Sequence, residues 1–301
     1  MHQPIVALVG ATASGKTGLS LDLAEWLGGE VVNTDAMQVY RGMDVGTAKL
    51  PEPERRGIPH HLLDLHEVTA PATVALFQGW ARDAIADIRS RDATPVLVGG
   101  SALYTRAVVD RFEFPGTDES LRRELEAELE HLGGQALHAR LAGVDPDAAA
   151  QIDPDNGRRV VRALEVIALT GRPYSASLPR LEYADPLTVQ IGVDIDRPTL
   201  DGRIARRVDE MFTAGFVEEV EALLARGLAE GRTAQRAIGY REVIGFLAGD
   251  RTLAEAIEQT KTATRRFARR QDGWFRKDPR IVWVDHDDPD RVEKALAALP
   301  G

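Results

Sequence analysis

Short apolar runs separated by amphipathic stretches dominate the hydrophobic pattern of this chain. Runs without a regular alternation of polar and apolar residues occur at 5–9, 30–34, 95–98, 188–195 and 281–284. Such runs are typical of strands that are buried on both faces of a parallel sheet. Amphipathic segments such as 16–27 and 74–91 lie between them. Strands that alternate with helices predict an α/β fold with a mostly parallel sheet flanked by helices.

The pattern changes between the third and fourth apolar runs. Residues 116–184 show no strand pattern and contain charged amphipathic segments at 118–132, 134–142 and 157–170. Such a block inside an α/β chain predicts a helical insertion domain. Residues 1–115 and 185–301 are then expected to form one α/β catalytic core with a mostly helical C-terminal region.

The segment between the first apolar run and the first amphipathic segment matches a phosphate-binding P-loop. Its pattern is G-x-x-x-x-G-K followed by Ser or Thr, in the strand-to-helix context that the motif requires. Glycines let successive amides point at one anion, and the helix that follows adds its positive dipole end. Lys16 adds a charge, and the Thr17 hydroxyl is placed to hold Mg²⁺. The residues expected to bind phosphate are Gly10, Ala11, Thr12, Ala13, Ser14, Gly15, Lys16 and Thr17.

The residues that follow the strands narrow the choice of phosphate ligand. The run at 95–98 is followed by Gly99, Gly100 and Ser101. NTP-hydrolysing P-loop proteins usually carry an acid after such a strand. The chain also lacks the N-K-x-D motif that reads guanine. These absences argue against a GTPase, whereas a small-molecule P-loop kinase stays open.

Asp35 follows the second apolar run. Because the carboxyl ends of strands in a doubly wound sheet line one crevice, Asp35 is expected near the phosphate loop. An aspartate with a pKa near the reference value of about 3.9 is ionised at neutral pH and can accept a proton. A helix cap or a solvated loop position is the alternative for a single aspartate at a strand end. The glycine-punctuated stretch 41–49 is a candidate for gripping a second substrate.

Seven segments resemble, in this order, the bacterial-type tRNA dimethylallyltransferase (tRNA isopentenyltransferase) family. They are GATASGKT, NTDAMQVYRGMDVGTAK, LVGGSALY, RRVVRALEV, RIARRVDEMFTAGFVEEV, RAIGYRE and ATRRFARRQDGWFRKD. The family transfers a dimethylallyl group from dimethylallyl diphosphate to N6 of the adenine immediately 3′ of the anticodon, in tRNAs that read codons beginning with U. The resemblance implies that the P-loop holds the diphosphate with Mg²⁺, so no ATP is implied. It also implies an adenine that leaves its stack to react.

The resemblance also implies roles for individual residues. Asp35 is the general base that takes the proton from N6, and Lys16 and Thr17 complete the catalytic group. Arg207, with Arg203 as a neighbour, clamps the diphosphate. The residues expected to contact the anticodon stem-loop of tRNA are Asp35, Ala36, Met37, Gln38, Ser101, Arg123, Arg158, Arg159, Arg162, Arg236, Gly239, Tyr240, Arg241, Arg265 and Arg269.

Three positions depart from the family pattern. Ala11 stands where proline is usual, Ala36 where serine is usual, and Ser101 where threonine is usual. The change at Ala11 affects only a turn of the backbone, and Ser101 keeps the hydroxyl of the usual threonine. Ala36 lacks the hydroxyl that the family has next to the general base Asp35. None of these changes affects Lys16 or Asp35.

The charge of the chain is unevenly distributed. The formal net charge is −10, which by itself would argue against a nucleic-acid partner. Residues 261–280, here the basic segment, nevertheless contain eight Lys and Arg against two Asp. Salt screens charges over about 8 Å, so a distant acidic face does not cancel this segment. Alone it would be more typical of a solvated helix face, but beside the family resemblance it is expected to contact tRNA phosphates.

The remaining sequence features concern cysteine chemistry, cellular location and a few single residues. The chain has no cysteine, which excludes disulfides, thiolate zinc sites and a cysteine nucleophile. The first apolar run has no basic leader and is too short for a signal peptide or a membrane span. We therefore expect a cytoplasmic monomer without a membrane partner. His60 and His61 are expected in a loop, and Tyr40, Tyr104 and Tyr240 either stack on bases or lie in the core.

Alternatives to tRNA prenylation stay open at this point. An isopentenyltransferase that acts on free adenine nucleotides would share the P-loop and Asp35, and a small-molecule P-loop kinase would consume ATP. A non-catalytic RNA- or nucleotide-binding module would not need Asp35 as a base. The basic segment and the helical insertion favour a macromolecular substrate.

Overall fold

A six-stranded parallel sheet belongs to the larger of two compact units in the described part of the chain. The computed structural model describes residues 3–112, 114–175 and 181–300. The strands are β1 (Ile5–Val9), β2 (Gly29–Asn33), β3 (His60–His61), β4 (Thr94–Val98), β5 (Thr188–Asp194) and β6 (Ile281–Asp285). Their order is β3-β2-β4-β1-β5-β6, and every neighbouring pair is parallel. This confirms the predicted α/β fold with a mostly parallel sheet.

The order of the strands creates a crevice between β1 and β4. The chain connects β1 to β2, which lies on the far side of β4. It then connects β4 to β5, which lies on the far side of β1. Ligands of open α/β sheets bind outside the carboxyl ends of the strands at such a switch point. The residues that follow β1 and β4 therefore border the crevice, and those that follow β2 lie beside it.

The predicted strands agree with the structure, except that one strand was not predicted. Each of the five apolar runs is a strand whose ends lie within one residue of the prediction. The strand that the pattern did not predict is β3, where His60 and His61 pair with Val31 and Val32 of β2. Two half-buried histidines carry no apolar pattern, so the sequence indicated only a loop there.

Helices connect the strands and form most of the C-terminal third. They are α1 (Lys16–Leu27), α2 (Val74–Ser90), α3 (Ala102–Val109), α4 (Glu119–Leu132), α5 (Gly134–Val144), α6 (Pro146–Gln151), α7 (Gly157–Thr170), α8 (Arg197–Thr213), α9 (Phe216–Leu224), α10 (Tyr240–Leu247), α11 (Leu253–Phe275) and α12 (Arg291–Ala297). Among the residues that the structure describes, none of these helices combines the length and apolar character needed to cross a membrane.

The main core cluster lies where α1 and α12 pack against the sheet. Leu19 and Leu23 of α1 contact a set of buried side chains from the central strands. That set includes Val6, Leu8, Val31, Val96, Ile191 and Val193. An amphipathic helix over 16–27 would place Trp26 on the same face as Leu19 and Leu23, but Trp26 is 72% exposed. The helix therefore buries a narrower face than its sequence pattern indicated.

The smaller unit runs from Asp110 to Ala184, so it begins before the predicted residue 116. It contains α4 to α7, of which the short α6 was not predicted. Its core is formed by leucine and valine side chains that include Leu125, Leu137, Leu141, Val160 and Leu164. Glu165 is fully buried in α7 and accepts hydrogen bonds from Arg122 at 2.6 Å and from Arg162 at 2.8 Å.

We expect Leu8→Ala to destabilise the larger unit by about 2–5 kcal/mol, because it removes a fully buried side chain from the central strand and leaves a cavity. Leu76→Ala, on the exposed first turn of α2, is the control and should change the unfolding free energy by no more than about 0.5 kcal/mol. Urea unfolding followed by circular dichroism measures both values. Equal shifts of the two variants would contradict this account of the core.

Candidate active site

The phosphate loop turns from β1 into α1 with two glycines in the left-handed region of backbone conformation. Gly10 has φ +139° and Gly15, at the N-cap of α1, has φ +104°. A Cβ at Gly10 would lie 3.2 Å from the carbonyl oxygen of Val193 in β5. Glycine therefore supplies both the conformation and the space that the turn requires. The amides of the first turn of α1 have no partner within the helix and can bind an anion.

Two helices of the C-terminal third hold the loop in place. The backbone amide of Thr12 donates to Oε1 of Gln271 in α11 at 2.8 Å, and Gln271 Nε2 donates to the carbonyl oxygen of Gly100 at 2.8 Å. Arg203 of α8 donates from Nη1 to the carbonyl oxygen of Ser14 at 3.3 Å. The sequence did not indicate Gln271, because its contacts lie more than 170 residues away along the chain.

Lys16 is buried at the start of α1, where Nζ donates to the carbonyl oxygens of Gly10 at 3.0 Å and Ala11 at 2.6 Å. Burial and, to a smaller extent, the positive charge of Arg207 lower the pKa of Lys16 to about 7, whereas the charge of Asp35 opposes the shift. Arg207 is half-buried, and burial lowers its pKa as well. An anion bound here would meet two cations that the protein has already partly desolvated.

Asp35 is held in an orientation set by the end of β2. Its Oδ1 accepts from the amide of Met37 at 2.8 Å, and its own amide donates to Oδ1 of Asn33 at 2.9 Å. Burial raises the pKa of Asp35, against the lowering effects of the Met37 amide and the Lys16 charge. The expectation of a pKa near the ordinary value was therefore wrong, because it took no account of burial. A higher pKa makes the carboxylate a stronger proton acceptor.

These groups line one cavity of about 300 Å³ at the carboxyl ends of the strands. The predicted residues that it brings together are Thr12, Ala13, Gly15, Lys16, Thr17, Asp35, Gln38 and Arg207. Thr47 and Ala48, from the stretch 41–49 that was a candidate for gripping a second substrate, also line it. The lining further includes residues that the sequence did not single out as site residues, among them Asn33, His60 and Gln271. The cavity thus places a carboxylate beside a phosphate-binding loop and two basic side chains.

Comparison with known families identifies the chain. Residues 38–278 match the family described as IPP transferase. The chain belongs to the IPP transferase family. The tRNA dimethylallyltransferase of a Nocardioides species is 72% identical over 296 residues, which are 98% of this chain and 96% of that protein. The resemblance seen in the sequence segments is confirmed.

Solved structures of IPP transferases have the same fold. The full-length tRNA isopentenylpyrophosphate transferase from Bacillus halodurans has a TM-score of 0.71 and 43% identity, and the match covers 99% of this chain and 94% of that one. A eukaryotic dimethylallyltransferase, solved as crystallographic snapshots of its action on tRNA, has a TM-score of 0.84 and 28% identity. That match covers 98% of this chain and 77% of the eukaryotic one.

Two residues of this IPP transferase that were expected to contact tRNA are buried instead. Tyr240 is fully buried, and its hydroxyl donates to Oε1 of Glu219 at 2.5 Å. Gly239 is buried as well, and a Cβ there would lie 2.8 Å from the ring of Phe216. We correct both assignments, because neither residue offers a surface to RNA. Tyr40 is also fully buried, so it belongs to the core.

The other predicted tRNA contacts in the larger unit differ in exposure. Arg236, Arg241 and Arg269 are exposed, although Arg241 forms an ion pair with Glu242. Arg265, Ala36, Met37 and Ser101 are half-buried. In the smaller unit, Arg123, Arg158 and Arg159 are exposed, whereas Arg162 is half-buried and bonds to Glu165 and the carbonyl oxygen of Pro115. Contact between these residues and tRNA stays a prediction.

The basic segment is not one continuous cationic face. Lys261 forms ion pairs with Asp209 at 2.8 Å and Glu258 at 2.9 Å. Arg276 pairs with Asp194 and lies 3.8 Å from the ring centroid of Trp283. Arg280 pairs with Asp278. Arg266, Arg269, Arg270 and Lys277 are exposed. Contact between the basic segment and tRNA phosphates stays a prediction.

We expect the affinity for inorganic diphosphate to fall as the pH rises above about 7, because the charged form of Lys16 binds the anion and its pKa is about 7. Above that pH the neutral amine must first take up a proton, which costs up to about tenfold in affinity per pH unit. Calorimetric titrations of the wild type and of Lys16→Met between pH 6 and 9 isolate this effect, since the ligand's own protonation is common to both. Parallel pH profiles for the two proteins would contradict the assignment.

Gln271→Leu should weaken diphosphate binding by about tenfold, since Thr12 and Gly100 each lose a hydrogen-bond partner. Gln259→Leu is the matched control, because Gln259 is an exposed residue of the same helix. Calorimetry at fixed pH measures both affinities. Equal affinities in the two variants would show that Gln271 does not support the loop.

Proposed function

We propose that the chain transfers a dimethylallyl group from dimethylallyl diphosphate to N6 of the adenine immediately 3′ of the anticodon, in tRNAs that read codons beginning with U. The observation that carries this proposal is the shared cavity of the phosphate loop, Arg207 and the raised-pKa carboxylate of Asp35. Family membership and the names of the similar proteins support transfer to tRNA. No observation favours a kinase or an enzyme of free nucleotides.

The phosphate loop binds the leaving group in this proposal. As the allylic C–O bond breaks, its electron pair moves onto the diphosphate. Loop amides, Lys16 and Arg207 face that growing charge in a partly dry cavity, where such contacts are stronger than in water. These groups are in place before the reaction, so little reorganisation opposes bond breaking.

Asp35 serves as the proton acceptor. The N6 lone pair forms the new C–N bond, and the nitrogen then loses a proton to the Asp35 carboxylate. The hydrogen bond from Met37 to Oδ1 fixes the direction of the carboxylate, and the raised pKa favours proton uptake. The adenine enters the cavity only after it leaves the base stack.

The residues of the cavity fit a magnesium ion bound together with the diphosphate. The Thr17 hydroxyl is exposed, lies at the N-terminus of α1 and borders the cavity that also contains the Asp35 carboxylate. Hydroxyl, phosphate and water oxygens are the ligands that Mg²⁺ prefers. Thr17 would hold the ion, which when bound would neutralise charge on the diphosphate.

The proposal is tested with labelled dimethylallyl diphosphate and Mg²⁺, offered with tRNA or with AMP. We expect label in tRNA. Asp35→Asn should lower turnover by about 10²–10⁴-fold, the usual size of a general-base contribution, while tRNA binding is largely kept. Asp83→Asn, an exposed change on α2, is the matched control.

Each alternative outcome has a defined meaning. Label in AMP but not in tRNA would overturn tRNA as the substrate. Transfer to neither acceptor would overturn prenylation and favour the kinase. Near wild-type turnover of Asp35→Asn would overturn the role of the carboxylate as the base.

A further inference from the structure

One carboxylate anchors the loop that follows the catalytic aspartate. Glu219, in the first turn of α9, accepts from the amides of Asp44 at 3.0 Å and Val45 at 2.6 Å through Oε2. Its Oε1 accepts from the amide of Gly46 at 3.1 Å and from the hydroxyl of Tyr240 at 2.5 Å. Hydrogen bonds to a charged acceptor are stronger than neutral ones, so the carboxylate holds the three loop amides firmly, and the Tyr240 hydroxyl holds the carboxylate.

The backbone at residue 46 lies directly against the rings of Phe216 and Tyr240. A Cβ at Gly46 would lie 2.6 Å from Cζ of Phe216 and 2.6 Å from Cε2 of Tyr240. Burial and the charge of Glu219 raise the pKa of the Tyr240 hydroxyl, which therefore stays protonated as a donor. The loop is thus held by shape as well as by charge.

The anchored loop continues into the cavity wall. Thr47 and Ala48 line the cavity, and the carbonyl oxygen of Thr47 accepts from Nε2 of Gln38 at 3.1 Å. Gln38 also lines the cavity, three residues after Asp35. The Thr47 hydroxyl donates to the carbonyl oxygen of Met43 at 2.6 Å, which shapes the turn. A displacement at residues 44–46 would therefore move the side chain of Gln38.

The far end of the loop has its own anchor, which does not involve α9. Lys49 is buried and donates to Asp44 at 2.6 Å, Asp64 at 2.7 Å and the carbonyl oxygen of Tyr40 at 3.0 Å. These contacts tie the loop to its own neighbours in sequence. The hydrogen bonds to Glu219 connect it to the helical C-terminal part of the larger unit.

We propose that Glu219 is a positioning residue that holds the cavity wall formed by Gln38 and Thr47 and so governs productive binding of the tRNA adenine. This inference rests on the proposed function. In the proposed function, different elements hold the diphosphate, namely the phosphate loop and α8. Within the part of the chain that the structure describes, the hydrogen bonds of Glu219 reach neither of them.

The kinetic test uses Glu219→Gln, which replaces one acceptor oxygen by an amide nitrogen that cannot accept. The KM for tRNA should rise about tenfold or more, as expected when hydrogen bonds to a charged group are lost, while the KM for dimethylallyl diphosphate changes by less than about twofold. Glu218→Gln, the same change at an exposed neighbour, should leave both values unchanged. Tyr240→Phe removes one of the four donors and should give a smaller rise in the KM for tRNA.

A second measurement does not depend on activity. Hydrogen exchange of the amides of residues 44–46 should be about tenfold or more faster in Glu219→Gln than in the wild type, whereas the amides of α1 exchange at the same rate in both. Unchanged exchange at 44–46, or equal rises in both KM values, would overturn the role of Glu219. Faster exchange with an unchanged KM for tRNA would overturn it as well. If the wild type fails to prenylate tRNA, the proposed function fails, and unchanged exchange would then show separately that Glu219 does not hold the loop.

Discussion

The fixed position of the phosphate loop is the constraint on which the rest of the site depends. Close approach of Gly10 to β5 sets the start of the loop, and Gln271 and Arg203 hold its middle. A hydrogen bond of this kind contributes only about 1 kcal/mol to stability, but each one removes a direction in which the loop could move. Because α8 and α11 supply these contacts, the C-terminal helices take part in building a site whose sequence motif lies near the N-terminus.

Burial of the site changes the pKa values of two catalytic groups in opposite directions. Burial disfavours the charged form of a side chain, so it lowers the pKa of Lys16 and raises the pKa of Asp35. The ammonium becomes a better partner once an anion supplies the missing negative charge. The Asp35 carboxylate becomes a better proton acceptor because burial raises its pKa. The two groups therefore suit successive parts of one reaction, in which a leaving group gains charge and a nucleophile loses a proton.

Local patterns predicted the parts of the structure that depend on neighbouring residues. The apolar strands and the loop at 10–17 were predicted because each is encoded within a few residues. Glu219 and Gln271 were not, because the amides of Gly46 and Thr12 that they bind lie 173 and 259 residues away and no local pattern marks them. Tyr240 was assigned to tRNA because a tyrosine in a motif looks the same whether it is buried or exposed. The number of basic side chains available to tRNA in the basic segment was overestimated, because the pairing of Lys261 with Asp209 depends on how α8 and α11 pack.

The central claim is that the cavity binds a prenyl diphosphate while one adenine of tRNA supplies the nucleophile. The most direct measurement is nuclease digestion and mass spectrometry of a tRNA that reads a codon beginning with U, after incubation with the protein, Mg²⁺ and dimethylallyl diphosphate. We expect one dimethylallyl group, in place of one hydrogen, on the adenosine immediately 3′ of the anticodon. Modification at another nucleotide, or an unmodified tRNA, would contradict it.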